Sequence, residues 1–168
     1  MDAPTQNNAL KKWVEEMARM CRPDKVYWCD GSQEEAERMK REALSTGELI
    51  ELNQELMPGC VLHRTALNDV ARTEDLTFIC TDRKEDASPV NNWKSREEGY
   101  AEAREYFKNS MQGRTMYVVP FSMGPVGSPF AKYGVELTDS IYVVLNMRIM
   151  TRMGKRVLDA IGGNGEFT

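Results

Sequence analysis

The chain has 168 residues, 41% of them hydrophobic, and a formal net charge of −4. That is enough apolar material for one domain with its own core, and the acidic balance excludes the basic footprint of a nucleic-acid binder. No apolar run approaches the roughly 20 residues of a membrane span, and MDAPTQNNAL at the start carries neither a secretory signal nor an Arg-rich presequence.

Residues 1–9 are polar and read as a flexible N-terminal tail, leaving 10–168 as the domain. Leu10, Trp13, Val14 and Met17 follow a helical spacing, and Pro23 ends that helix. Val26 to Cys29 reads as a short buried strand. Ser32 and Glu35 form a capping-box pattern at the start of a charged helix that Gly47 terminates. Leu49 to Leu52 reads as a strand, Asn53 to Asp69 as irregular chain, and Leu76 to Thr81 as a strand. Thr81 to Asn92 is a polar surface loop, and Arg96 to Met111 a helix stopped by Gly113. Thr115 to Val119 and Val135 to Thr138 are strands. Ile141 to Leu145 is β-branched enough for a strand, but the apolar pattern running on through Met147, Met150 and Met153 favours a helix, with Asp139 or Ser140 as its cap. Gly154 interrupts it, and Val157 to Ile161 continues as a short helix.

The segment GRTMYVVPFSMGPVGSP, Gly113 to Pro129, joins a strand to a loop holding Pro120, Gly124, Pro125, Gly127 and Pro129. Pro fixes φ and Gly opens otherwise forbidden backbone space, so the loop has a defined shape. Such a loop holds a ligand or a neighbouring domain, or is a structural corner. Arg72 presents a planar fork of donors that fits a carboxylate in two parallel hydrogen bonds; the same fork pairs equally well with Asp69 or Glu74 at a surface. Glu74 is a candidate site residue or a solvated carboxylate. His63 is the single histidine, too few for a His-based metal cluster or a Ser-His-Asp array, and is assigned no role. Gly154-Lys155 lacks the upstream glycine and following hydroxyl of a phosphate loop. Arg148, Arg152, Lys155 and Arg156 make a basic stripe, read as a solvated face or a domain contact. Met111, Met116, Met123, Met147, Met150 and Met153 read as core filling or as an interface. Cys21, Cys29, Cys60 and Cys80 contain no CxxC pair, which argues against a tight zinc motif and for free buried thiols in a reducing compartment.

Several blocks resemble the N-terminal domain of GTP-dependent phosphoenolpyruvate carboxykinase, in its order and with its spacing. They are PDKVYWCDGSQEE (Pro23 to Glu35), NDVARTEDLTFIC (Asn68 to Cys80), NNW (Asn91 to Trp93), the Gly113–Pro129 segment, GVELTDS (Gly134 to Ser140) and MRIMTRMG (Met147 to Gly154). Blocks in register are far more specific than one short motif. The resemblance runs from about Leu10 to Thr168 and implies an α/β fold, a mixed β-sheet flanked by helices. It implies an enzyme converting oxaloacetate and GTP to phosphoenolpyruvate, GDP and carbon dioxide, with manganese and magnesium ions. By the same resemblance Arg72 binds the substrate carboxylate and Glu74 helps hold a mobile lid closed. The metal ligands and the GTP site belong to a C-terminal nucleotide-binding lobe outside this chain. The chain is thus expected to be an inactive N-terminal fragment of a cytoplasmic, typically monomeric enzyme. Its bared lobe-facing surface, including part of Phe121 to Phe130 and the side chain of Arg72, is expected to promote self-association. The alternative is a non-catalytic regulatory or scaffold module that keeps this fold.

Overall fold

The computed structural model describes residues 3–65 and 73–168. Helix α1 (Asn8–Cys21) leads into strand β1 (Lys25–Trp28), helix α2 (Gln33–Thr46) and the short strands β2 (Ile50–Glu51) and β3 (Val61–Leu62). Strands β4 (Phe78–Thr81) and β5 (Asn92–Ser95) precede helix α3 (Arg96–Phe107). Strands β6 (Thr115–Met123) and β7 (Lys132–Thr138) follow, then helix α4 (Ile141–Met150), the two-residue strand β8 (Arg152–Met153) and helix α5 (Lys155–Ile161).

Strand β6 organises the domain. It pairs in parallel with β1, antiparallel with β7 and, near its end, antiparallel with β8. The sheet is therefore mixed, as expected. Its residues alternate between two cores, as the two-residue period of a strand requires. Tyr117 and Val119 face Met39 and Ala43 of α2 and Ile141, Val144 and Met147 of α4. Val118 faces Leu10 and Val14 of α1 and Val157, Leu158 and Ile161 of α5. Helices thus cover both faces, and the run Met116–Pro120 is buried throughout. Among the described residues, two further sheets have two strands each, β2 antiparallel to β3 and β4 parallel to β5.

Five expectations need correction. The chain is already held against the domain within residues 1–9: Thr5 and Asn7 are buried, Asn7 Oδ1 accepts the Leu10 amide at 3.0 Å, and its Nδ2 donates to the Gly165 carbonyl at 3.0 Å. Pro120 is not in the loop but inside β6. Its carbonyl accepts the Gly154 amide, on the β1 and β8 side of the strand. A strand residue's nitrogen and carbonyl share a side, and β1 has ended there while β8 has not begun, so the missing proline donor forfeits no ladder bond. The stretch read as irregular, Asn53 to Asp69, contains β3, and β5 starts at Asn92, the last residue of the stretch read as a surface loop; both are too short to show a period. Leu76 lies in a 3₁₀ turn, Glu74–Leu76, not in the strand. Helix α3 ends at Phe107; beyond it Asn109 takes φ 59°, and the amides of Asn109 and Met111 bond to the Met20 and Cys21 carbonyls at the end of α1.

The cysteines divide. Cys21 and Cys29 are buried and Cys60 and Cys80 exposed, all as free thiols, which corrects the expectation of four buried ones. Burial, with Glu35 and Asp30 nearby, pushes the Cys29 thiol far up. A thiol reagent at pH 8 is expected to label Cys60 and Cys80 rapidly and all four only in denaturant; rapid labelling of Cys29 in the native protein would contradict this packing.

Burial also drives the Tyr117 phenol up from 10.0 to about 12, reinforced by Glu42. A raised pKa in the folded state means stability intact below the unfolded value and lost as pH climbs toward the folded one. The thermal midpoint should therefore fall between about pH 10 and 12 as tyrosine ionises on unfolding, a window readable by tyrosinate absorbance. A flat midpoint across that window would refute the burial of this phenol.

Candidate functional site

The paired strands β4 and β5 bring together two of the sequence blocks that stand apart in the chain. Parallel pairing sets Phe78 beside Asn92 and Ile79 beside Trp93. The Asn92 amide then donates to the Glu74 carbonyl at 2.9 Å, and Trp93 Nε1 donates to Thr81 Oγ1 at 2.8 Å. The turn carrying Glu74 is closed by the Thr77 amide bonding back to the Glu74 carbonyl. Glu74 stays exposed and lines a surface depression of about 580 Å³ with Asp75, Thr77, Asn91 and Asn92. Arg72, two residues before it, lies outside the described residues.

The Gly/Pro-rich loop joins β6 to β7 and is braced from within. Gly124 and Gly127 take φ of 95° and 85°, values that a side chain would strain. Ser122 Oγ donates to the Gly124 carbonyl, the Gly127 amide donates to the Tyr133 hydroxyl, and the Ala131 amide donates to the Ser128 carbonyl. Met123 and Phe130 project from it, 55% and 87% exposed. Phe121, by contrast, is half-buried against the α2 and α4 core. The expected exposed face therefore holds Phe130 and Met123 more than Phe121.

The basic stripe separates into parts. Lys155 turns to Asp159, with Nζ at 2.7 Å from both carboxylate oxygens. Arg148 donates to the Gly31 carbonyl and, at 2.9 Å, to Gln33 Oε1. Arg152 and Arg156, with Arg148, line a cavity of about 540 Å³ beside Pro125 and Val126 of the Gly/Pro-rich loop. The sequence shows all four as one basic stripe; that Arg148 comes from α4, Arg152 from β8 and Arg156 from α5, and that Lys155 departs, is not visible in it.

His63, assigned no role, has a structural one. Its Nδ1 bonds to the Glu48 carbonyl at 2.8 Å and its ring stacks on Tyr142 at 3.9 Å. The Glu48 carboxylate in turn accepts Ser140 Oγ and the Tyr142 amide, so the β2–β3 hairpin is fastened to the start of α4. Among the described residues no three His, Cys, Asp or Glu side chains gather as a metal-ligand set. Among them, too, no helix is long and apolar enough to cross a membrane.

A family model described as the phosphoenolpyruvate carboxykinase N-terminal domain matches residues 12–168. The chain belongs to that family. It is 55% identical over 164 residues to a protein of Anaeromyxobacter sp. (strain K) named phosphoenolpyruvate carboxykinase (GTP), covering 98% of this chain and 28% of that protein. It is 51% identical over 166 residues to a protein of the same name from Corynebacterium jeikeium (strain K411), covering 99% and 27%. The chain thus spans little more than a quarter of the relatives it matches. As a carboxykinase N-terminal domain, it carries the Gly/Pro-rich loop and the β4–β5 pair at its surface, and the α/β fold is the one expected.

Proposed function

We propose that this chain is the substrate-side domain of a cytoplasmic GTP-dependent phosphoenolpyruvate carboxykinase. The observation that carries the reading is the match, above half identity, along nearly the whole chain to proteins bearing that name. In the reaction, loss of carbon dioxide from oxaloacetate leaves an enolate, whose oxygen takes the γ-phosphoryl group of GTP. The chain's contribution is positioning. Arg72 holds the substrate carboxylate through its two-pronged fork, and Glu74, exposed on its turn, meets a closing lid that keeps water from the enolate. The Asn92 bond to the Glu74 carbonyl supports this role by fixing the turn. Manganese, magnesium and GTP bind in the remaining lobe, which is also this domain's partner. The exposed Phe130 and Met123 support a surface that meets that lobe and that self-associates when bare.

The test is kinetic and uses the full-length enzyme. Arg72→Ala is expected to cost about 2–5 kcal/mol in kcat/KM for oxaloacetate, the scale for removing one half of a desolvated charge pair. GTP binding without the carboxylate substrate should hold. Arg72→Lys should restore only part, since an ammonium cannot form the fork. An unchanged kcat/KM would remove the assignment. The 168-residue chain by itself is expected to be inactive, and GTP-dependent phosphoenolpyruvate formation by it would overturn the division of labour.

A further inference from the structure

We infer that the cavity between Arg148, Arg152 and Arg156 binds a phosphorylated small molecule, at a site distinct from the depression that Glu74 lines. The starting point is charge. The protein is acidic overall, yet this cavity is lined by three guanidinium groups and no carboxylate. Elsewhere among the described residues, Arg38, Arg83, Arg96, Arg104 and Arg114 each sit within 4 Å of a carboxylate, and Arg19, Arg22, Arg41 and Arg64, which do not, are scattered rather than gathered at this cavity. Arg152 and Arg156 have no such partner among the described residues, although they converge on one concavity. Unpaired guanidinium groups facing one another repel, and a multiply charged anion between them relieves that repulsion.

The second observation is rigidity. Arg148 is tethered to the Gly31 carbonyl and to Gln33, so its remaining donors are aimed rather than mobile. The wall beside it is fixed by close backbone contact. A Cβ at Gly31 would lie 2.5 Å from the Met153 carbonyl oxygen, and one at Gly154 would lie 2.0 Å from that of Asp30. The opposite wall is the internally bonded Gly/Pro-rich loop, which contributes Val126. The cavity is therefore preformed, which lowers the ordering cost of binding.

The third is size and lining. About 540 Å³ lies within the range of small-molecule sites and far exceeds one inorganic phosphate. Val126, Met153 and Val157 supply apolar wall next to the guanidinium groups. The ligand class that fits is a compound with at least two anionic oxygens groups, phosphates foremost, joined to a carbon skeleton that rests on that wall.

Inorganic pyrophosphate is the probe for the anionic half. It would be titrated calorimetrically into the full-length protein at 150 mM salt, without metal ions, for the parent and for Arg152→Ala/Arg156→Ala. Both side chains are exposed, so the fold should survive their loss; circular dichroism checks that. The expected result is that the double variant loses one bound pyrophosphate per protein, or binds it at least tenfold more weakly. Arg152→Lys/Arg156→Lys should fall between. Turnover without pyrophosphate should be unchanged, which separates this site from the substrate-binding proposal. Equal stoichiometry and affinity in parent and double variant, or no binding at millimolar pyrophosphate, would overturn the inference.

Discussion

Gly154→Ala is expected to be among the most damaging single substitutions in this domain. The residue takes φ 96°, and a Cβ there would lie 2.0 Å from the Asp30 carbonyl oxygen, 2.3 Å from its carbon and 2.5 Å from the Gly31 nitrogen. All three are backbone atoms, so no side chain can swing aside. The clash falls where two hydrogen bonds lock β8 to the rest of the sheet: the Gly154 amide to the Pro120 carbonyl and the Lys155 amide to the Asp30 carbonyl, both at 2.9 Å. Relief requires separating the loop after β1 from the turn before α5, which opens the cores on both faces of β6. The expected cost is about 3–5 kcal/mol, enough to lower the thermal midpoint by roughly 10 °C or to prevent soluble expression. A variant that melts within a few degrees of the parent would show that the close approach of these two glycines is not what holds β8 in place.

Glu35→Ala should come close behind, for a different reason. The Glu35 carboxylate is buried and accepts the amides of Asp30 and Gly31, each at 2.9 Å. Removing it strands two partly buried amide donors, with an expected loss of about 1–3 kcal/mol. Glu35→Gln keeps one acceptor oxygen and should lose less. Because Glu35 and Gly154 act on the same two-residue loop, the double variant should be less destabilised than the two single losses combined. Denaturant titration of the four proteins measures this, and strict additivity would mean that the loop is not the shared element.

Glu35 also marks the limit of what could be read from the chain. The Ser32-x-x-Glu35 spacing correctly announced a helix start, and Ser32 Oγ does accept the Glu35 amide at 3.0 Å. The carboxylate, however, reaches past the cap to Asp30 and Gly31, a choice set by where the incoming loop packs rather than by spacing. The full reciprocal box occurs at Ser95 and Glu98, at the start of α3. Helices α1 and α2 and the core of β6 were legible because their apolar periods are long. Strands β3 and β5 were not, since two to four residues carry no period and their partners lie 10 or more positions away. The Glu48–His63–Tyr142 fastening was invisible because each member looks like an ordinary surface residue until the hairpin folds onto α4. Of the candidate site, the basic residues were legible as a stripe, whereas the cavity gathers three arginines from α4, β8 and α5 and its wall depends on the close approach of Gly31 and Gly154.

The pairing of β1 with β6 bears on how the domain comes into being. Lys25 sits beside Thr115, Val26 beside Met116 and Tyr27 beside Tyr117. No nearer strand takes β1's place, since β1 bonds only to β6 among the described strands. On the ribosome, β1 must therefore wait while about 90 further residues emerge, some 5–20 s at ordinary elongation rates, with its side chains and those of α1 lacking their sheet. The β2–β3 hairpin and the β4–β5 pair, whose partners are close in the chain, have time to form within that interval. Nascent chains halted before Thr115 should accordingly be protease-sensitive across α1 and β1, and chains halted well past β7 should not.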